Sequence, residues 1–435
     1  MSIRHTHIIF QLSFLLISTN IPLYSTSCSS KNNHDCRVDK SFNGSDWYGL
    51  YGKFDDSDYE ITEEKIIYKH LNGINYANNL VIPNYVSYKE KKLPVYLDKN
   101  LFFGFQNISG SVYLNEFMTD IPDHIFENCV NIEKIFLMNK IINVGERSFY
   151  NCLSLKSIEF SEYSEYYHYL HADEIFKFIE SISNEAFYRV ELDISIVFDK
   201  LENLGNAAFS DCTHIKSVVF SNNCLLPQKH LKNSSFSNCW NLQFVSLNEN
   251  IISIGDECFL GCYNLKKVNW EIDSNNEEVL IGKKAFSHCY ALAQIYSNLS
   301  NFSPYYIGDY AFDSDKAFNF NYFDSENNTF FLNTSFIGEY AFSSCETIKL
   351  VKFFPSENFI ISSNAFYYCY RLDCIDFSNF GSLVPQWEGV VHIFGNVCKF
   401  GIFYIQNLDY SDSWLYFFNS QTNEGIAKCW NFRCK

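Results

Sequence analysis

The chain is poor in the residues that break regular structure and poor in positive charge. Of its 435 residues only 8 are Pro and 18 are Gly, which excludes a collagen-like or Pro-rich disordered chain. Lys and Arg number 33 against 50 Asp and Glu, a net charge of −17. Such a balance argues against holding a nucleic-acid backbone or an anionic lipid by charge. Nucleic acid is therefore excluded as a partner class. No apolar run reaches the roughly 20 residues that span a bilayer, so no transmembrane segment is expected. The last residues, GIAKCWNFRCK, lack the hydrophobic tail of a GPI signal. Also missing are C-x-x-C, G-x-S-x-G, H-E-x-x-H and a phosphate-cradling Gly loop. No cofactor, metal or catalytic residue is expected, and the chain reads as a non-enzyme.

What is abundant is Phe, Tyr and Cys, at 43, 30 and 16 residues, ample material for a core. The start of the chain has an export pattern: Arg4, His5 and His7, then the short apolar run Ile8 to Ser18, then small residues Ser25 and Ser27 before Cys28. A buried N-terminal strand is the other reading of that run. Residues 1–27 are expected to be a signal peptide. Their removal takes away Arg4 and no acid, leaving a net charge of −18.

Self-comparison reveals a repeat. Segments IGDECFLGCYNLKKVNW, IGKKAFSHCYALAQIYS, IGDYAFDSDKAFNFNYF, IGEYAFSSCETIKLVKF and ISSNAFYYCYRLDCIDF start at Ile254, Ile281, Ile307, Ile337 and Ile361. They share I-G-x-x-A-F-x-x-C-x-x-L-x-x-[IV]-x-[FLW], and weaker copies extend it in both directions. The anchor Phe falls at Phe102, Phe126, Phe149, Phe187, Phe209, Phe236, Phe259, Phe286, Phe312, Phe342, Phe366 and Phe394. Two long steps carry insertions, placed at Ser161 to Phe176 and around Ser325 to Ser335. The L-x-x-[IV]-x-[FLW] half has the two-residue period of a strand with one buried face. The I-G-x-x-A-F half is read as a turn, where Gly relaxes the backbone, followed by a short helical or 3₁₀ piece. One unit cannot bury its apolar face alone, so units stack into a solenoid with a Phe spine. The expected fold class is an α/β solenoid: a leucine-rich-repeat array with a curved parallel sheet on the concave face and short helical turns on the convex side. The expected division is a signal peptide at 1–27, an N-terminal cap at 28–83, about twelve units at 84–406 and a Cys-containing cap at 407–435.

The repeats resemble the BspA-type leucine-rich repeats of surface proteins from anaerobic bacteria and mucosal protists. The resemblance covers residues 84–406 and rests on I-G-x-x-A-F-x-x-C in register. The stretch VIPNYVSYKEKKLPVYLDKNLFFGF is similar to the lead-in such proteins place before their first unit. Asp315 and Asn321 depart from the pattern in the Phe312 unit, and Val190 stands where the Phe187 unit would carry Cys. The resemblance implies a secreted or surface-associated adhesin that binds host matrix proteins, cell-surface proteins or glycoproteins. A coat or extracellular-matrix component that self-associates is the alternative, and the oligomeric state is left open.

Eight cysteines, Cys129, Cys152, Cys212, Cys239, Cys262, Cys289, Cys345 and Cys369, each lie three residues after an anchor Phe. They are expected to form an interior ladder of thiols with a weak donor for nearby backbone. The other eight are Cys28, Cys36, Cys224, Cys258, Cys374, Cys398, Cys429 and Cys434. In an exported chain these are the disulfide candidates, above all Cys28 with Cys36, and Cys374, Cys398, Cys429 and Cys434 near the last unit.

Residues between the inward strand positions should project from the sheet. The central column reads Phe136, Glu159, Val197, Val219, Ser246, Asn269, Tyr296, Tyr322, Lys352 and Asp376. Tyr296, Phe320, Tyr322, Leu350 and Phe354 gather there as a candidate binding patch. A register shift that turns Phe320 inward would remove it. His168 and His171, beside Asp173 and Glu174, read as a solvated Tyr-rich loop rather than a metal site. The acidic cluster Asp55, Asp56, Asp58 and Glu60 lacks the Gly and spacing of a calcium loop. The number of N-x-[ST] sequons is what chance supplies, but Asn327 and Asn333 fall in an insertion and are the preferred glycosylation sites.

Overall fold

The computed structural model describes residues 25–28, 36–38, 48–49, 59–69, 77–88, 91–161, 164, 172–273, 278–297, 304–315, 329–354, 359–380, 386–388, 401–405 and 430–434. Each repeat forms one coil with two parallel strands. A four-residue strand such as Ser195–Phe198, Ser217–Phe220, Phe244–Leu247 or Lys267–Trp270 buries its second and fourth side chains. Its first and third face away from the core. Neighbouring long strands pair in parallel, as in Phe244↔Lys267, Val245↔Val268, Ser246↔Asn269 and Leu247↔Trp270, and among the described residues the register slips only where Ile108–Tyr113 meets its two neighbours. A two-residue strand, such as Ser253–Ile254 or Leu280–Ile281, pairs with its counterparts on the next coils.

The Phe spine is present as expected. Eleven anchors from Phe102 to Phe366 are buried, and ten consecutive pairs stack with ring centroids 5.0–5.7 Å apart and interplanar angles of 2–15°. Phe394 lies outside the described residues.

The helical turn is a correction. The only helix among the described residues is a six-residue 3₁₀ segment, Ala172–Lys177, so this is a β-solenoid and not an α/β one. The reason lies on either side of the anchor Phe. Around Phe259, Glu257 and Gly261 take φ of 56° and 68°, and around Phe286, Lys284 and His288 take 53° and 63°. Left-handed residues at this spacing interrupt any helix. They turn alternate amides outward instead. Glu257, Phe259 and Gly261 donate their N–H groups to the carbonyls of Lys283, Ala285 and Ser287 on the next coil, at 2.8, 2.8 and 2.9 Å. Cys258, Leu260 and Cys262 donate within the turn, to Gly255, Glu257 and Phe259, at 3.3, 3.1 and 3.2 Å. The turns are therefore a third hydrogen-bonded ladder, which offsets the left-handed strain.

The Gly before these turns serves close approach and not a relaxed backbone. A Cβ on Gly282 would lie 2.7 Å from the amide nitrogen of Asp256 on the preceding coil. Next in line, the carboxylate or amide oxygens of Asp123, Asn184, Asn233, Asp256 and Asp309 accept the N–H of the equivalent residue one coil on, at 2.8–3.0 Å.

Both insertions differ from their expected form. The first ends in the 3₁₀ segment, whose Phe176 is buried with its ring centroid 5.7, 6.1 and 5.9 Å from those of Phe187, Phe198 and Phe209. The second, expected around Ser325 to Ser335, contains a strand of the long sheet. Thr329–Leu332 pairs with Leu350–Phe353. Upstream of residue 84 the long sheet already includes Ala77–Val81 and Tyr48–Gly49. Downstream, Trp430–Cys434 of the C-terminal segment pairs with Gly401–Ile405.

Candidate binding face

Three features of the fold could carry function: the interior Cys ladder, the outward column of the long sheet, and the outward side of the short strands.

The Cys ladder is inert by construction. All eight ladder thiols are buried, and each donates its S–H to the carbonyl of the preceding anchor Phe at 2.9–3.2 Å. Burial pushes Cys129, Cys212, Cys262 and Cys369 up to about 12. Thiolate, the reactive form, is then almost absent at neutral pH. Cys224 and Cys258 belong with this group rather than with the disulfide candidates, since both are buried thiols. Cys224 fills core and donates to the Leu201 carbonyl at 3.3 Å. Cys374 is buried on the strand Cys374–Asp376. Cys28 and Cys36 are direct cross-strand partners in an antiparallel pair. Cys434 closes the strand that pairs with Gly401–Ile405. Cys398 and Cys429 lie outside the described residues.

The expected column of the long sheet holds in two stretches, interrupted between Glu159 and Val197, whose strands belong to different hydrogen-bonded sets. Phe136↔Glu159, Val197↔Val219, Val219↔Ser246, Ser246↔Asn269 and Asn269↔Tyr296 are register partners. The partner of Lys352, however, is Phe331 and not Tyr322. Asp376 is wholly buried rather than displayed, its Oδ2 4.0 Å from the Lys352 ammonium and its Oδ1 accepting the Ser378 N–H at 2.9 Å. Of the candidate patch, Tyr296, Leu350 and Phe354 are half-buried, while Phe320 and Tyr322 lie outside the described residues. Lys267 stands 4.3 Å from the Tyr296 ring centroid and Lys352 5.6 Å from that of Phe354, two cation–π contacts. Phe331, whose ring centroid is 6.1 Å from that of Phe354, is the residue the sequence reading missed. Its signal is the alternation Thr329-Phe330-Phe331-Leu332, with Phe330 and Leu332 inward.

The short strands carry the clearer feature, which sequence reasoning did not single out. Their inward residues are uniformly apolar and buried, from Ile121 and Val144 through Ile254, Ile281, Ile307, Ile337 and Ile361. Their outward residues change character along the solenoid. From Asp120 through Asn143, Ser181, Asn203 and His230 to Ser253 they are polar. Adjacent pairs hydrogen-bond: Asn143 donates to Asp120, Asn203 donates to Ser181 at 3.1 Å, and His230 meets Ser253 at 2.8 Å. From Leu280 through Tyr306 and Phe336 to Ile360 they are apolar and in register. Leu280, Tyr305 and Tyr306 are 38%, 44% and 38% exposed, and Tyr306 stacks on Phe336 at 4.8 Å. A second exposed ladder, Trp240, Tyr263 and Tyr290, follows the Cys of three successive coils, with centroid steps of 6.0 and 5.4 Å. Its signal in the sequence is C-W, C-Y, C-Y at repeat spacing.

Asn333, one of the two preferred glycosylation sites, is exposed; Asn327 lies outside the described residues. So do Asp55, Asp56, Asp58, His168 and His171. Among the described residues no cluster of three or more His, Cys, Asp or Glu could hold a metal, and no helix is long and apolar enough to cross a membrane.

Stacked coils, two parallel strands per coil and a repeating buried grammar define a β-solenoid of the leucine-rich-repeat type. A family model of the BspA type leucine-rich repeat region matches in six copies, over residues 77–170, 180–319 and 307–386, and the chain belongs to this family. Among solved structures it is similar to a leucine rich cell surface protein from Faecalibacterium prausnitzii A2-165, at 18% identity over 77% of this chain and 94% of that one, with a TM-score of 0.47. It is similar also to a leucine-rich repeat protein from Bacteroides ovatus ATCC 8483, at 18% identity, 86% and 97% coverage and a TM-score of 0.46. A third is the pneumococcal vaccine antigen PcpA, at 14% identity, 87% and 96% coverage and a TM-score of 0.34. No curated protein matches the chain.

Proposed function

We propose that the chain is a secreted or surface-held adhesive scaffold, not an enzyme, that binds host matrix or cell-surface proteins and glycoproteins through its C-terminal half. The observation that carries this reading is the change of the outward short-strand residues from polar to apolar at Leu280, with no change in the residues beneath them. A coil closes without Tyr306 and Phe336, since Asn143 and Asn203 hold the same places in the other half. Exposed contiguous apolar and aromatic groups are the usual mark of an interaction surface. Tyr296, Phe331, Leu350 and Phe354 support the same half from the long sheet, and Phe320 and Tyr322 remain candidates there.

Export before Cys28 fits the apolar run at Ile8 to Ser18, and glycosylation fits the exposed Asn333. The antiparallel register of Cys28 with Cys36 supports a bridge between them. Cys374, Cys398, Cys429 and Cys434 stay the candidates for the C-terminal cap. The test is capture from host cell-surface and matrix extracts by the recombinant mature chain, compared with the Tyr306→Ser, Phe336→Ser double variant. Partners held by the parent and lost by the variant support the reading. Concentration-dependent polymers of the parent alone, dissolved by the same double substitution, would replace it with a self-associating coat.

A further inference from the structure

One rung of the Cys ladder has a different chemistry. In the Phe312 coil the residue three past the anchor is Asp315, 0% exposed. Its Oδ1 accepts the Cys289 N–H at 2.8 Å, while Oδ2 is a buried oxygen that receives no donor. On both neighbouring rungs the group at this place is itself a donor: Cys289 Sγ to the Phe259 carbonyl and Cys345 Sγ to the Phe312 carbonyl, each at 3.2 Å. A carboxylic acid has one O–H to give, as a thiol has one S–H, whereas a carboxylate only accepts. Among the described residues, the ionisable groups that face Asp315 are Asp313 on its own turn, Cys289 and Tyr290 on the preceding coil, and Cys345 on the following one. All are acids. His288 of the preceding coil acts on Asp313. Burial first, and the Asp313 carboxyl second, hold Asp315 well above the usual carboxylate range.

The position of this coil gives the rung a consequence. The long sheet falls into three hydrogen-bonded sets, which meet between Ser157–Phe160 and Ser195–Phe198 and between Gln294–Ser297 and Thr329–Leu332, and the Phe312 coil, whose own long strand is Thr329–Leu332, stands first in the third. We propose that Asp315 is a protonated rung that makes the Phe312 coil an acid-stabilised joint of the solenoid, sealed while the proton is present and opened when it leaves. The proposal concerns the coil and holds whether or not the outer face binds a partner. In the unfolded chain Asp titrates near 4. A carboxyl raised above that in the fold contributes its stability in full below about pH 4, and loses it as pH rises through the native value. Between the two, opening the coil releases one proton, so its opening constant grows about tenfold per pH unit.

Native-state hydrogen exchange of the mature chain between about pH 5 and pH 7, corrected for intrinsic rates, reads this directly. The amides to follow are Phe286, His288 and Phe312, which donate to Ala311, Asp313 and Ala341 at 2.8, 2.9 and 2.8 Å. The Phe236 amide, bonded to Cys258 at 2.9 Å, is the internal reference. The expected result is opening that rises about tenfold per pH unit around Asp315 and stays level at the reference. In D315N and in D315C, which restores the ladder thiol, both regions should stay level. A level profile around Asp315 in the parent overturns the proposal, and so does an unchanged slope in either variant. An infrared band of a protonated carboxyl at neutral pH, lost in either variant, reads the same proton without unfolding, and its absence in the parent overturns the proposal as well.

Discussion

From Asp120 to Ser253 the short strands face outward with Asp, Asn, Ser and His, joined in pairs by hydrogen bonds. From Leu280 to Ile360 the same positions carry Leu, Tyr, Phe and Ile, joined by ring stacking and apolar contact. Beneath both halves the inward residue is Ile, Val or Leu, fully buried. The inward positions are constrained because each must fill a cross-section shared with its neighbours. The outward positions are not, since either a polar pair or an apolar pair satisfies two adjacent strands. A difference between halves that appears only outward is therefore one the fold does not dictate, and the proposed binding face rests on it.

The largest way to break the comparison is to strike the inward layer, where both halves should respond alike. Phe149→Ala and Phe342→Ala each remove a buried ring stacked on both sides, and each should cost about 3–5 kcal/mol by denaturant titration. Loss in one half alone would mean that the spine is not continuous. Thiol reactivity probes the same layer more gently. Cys129 in the first half and Cys369 in the second are both pushed to about 12. Against an ordinary thiol near 8.5, that leaves on the order of 1,000-fold less thiolate at pH 8. Both should resist alkylation in the native chain and label fully as thiols after denaturation without reductant. A mass shift showing either in a disulfide would refute the interior-thiol account.

The outward layer answers to different substitutions. Tyr306→Ser with Phe336→Ser should weaken partner binding at least about tenfold, roughly 1.4 kcal/mol. It should cost about 1 kcal/mol or less in stability, because both groups are partly solvated already. A variant that unfolds would make these residues core after all.

How much of this could be read in the sequence follows the same division. The Phe register and the Cys ladder were legible because a buried position repeats its residue. The donation of each thiol to the preceding Phe carbonyl was legible only in outline, as a weak donor near backbone. The left-handed turns were hidden, since Glu257, Lys284, Tyr310 and Tyr340 carry no Gly-like signature at φ of 53–57°. Their conformation is imposed by hydrogen bonds from adjacent coils, which is tertiary information. Phe331 was missed because its strand comes well after its turn, so a fixed offset from Phe312 pointed to Tyr322 instead. The polar-to-apolar change was written in the residue before each I-G, a position the repeat grammar treats as free.

The smallest expected effect is also the most discriminating. Ser181 and Asn203 are register partners on adjacent short strands, as Tyr306 and Phe336 are. Replacing them with that aromatic pair, Ser181→Tyr and Asn203→Phe, exchanges one hydrogen bond of 3.1 Å for a stacked pair on the same scaffold. Cross-strand pairs of either kind contribute about 0.2–1 kcal/mol, so the melting temperature should barely move. If recognition needs the shaped stripe from Leu280 to Ile360 with Tyr305 at its side, two rings transplanted into a polar surround should add no partner binding. Surface plasmon resonance of the transplant in the Tyr306→Ser, Phe336→Ser background isolates the effect. Binding restored to the parental level would mean that any exposed aromatic pair suffices, and the difference between the two halves would then be one of stickiness and not of a site.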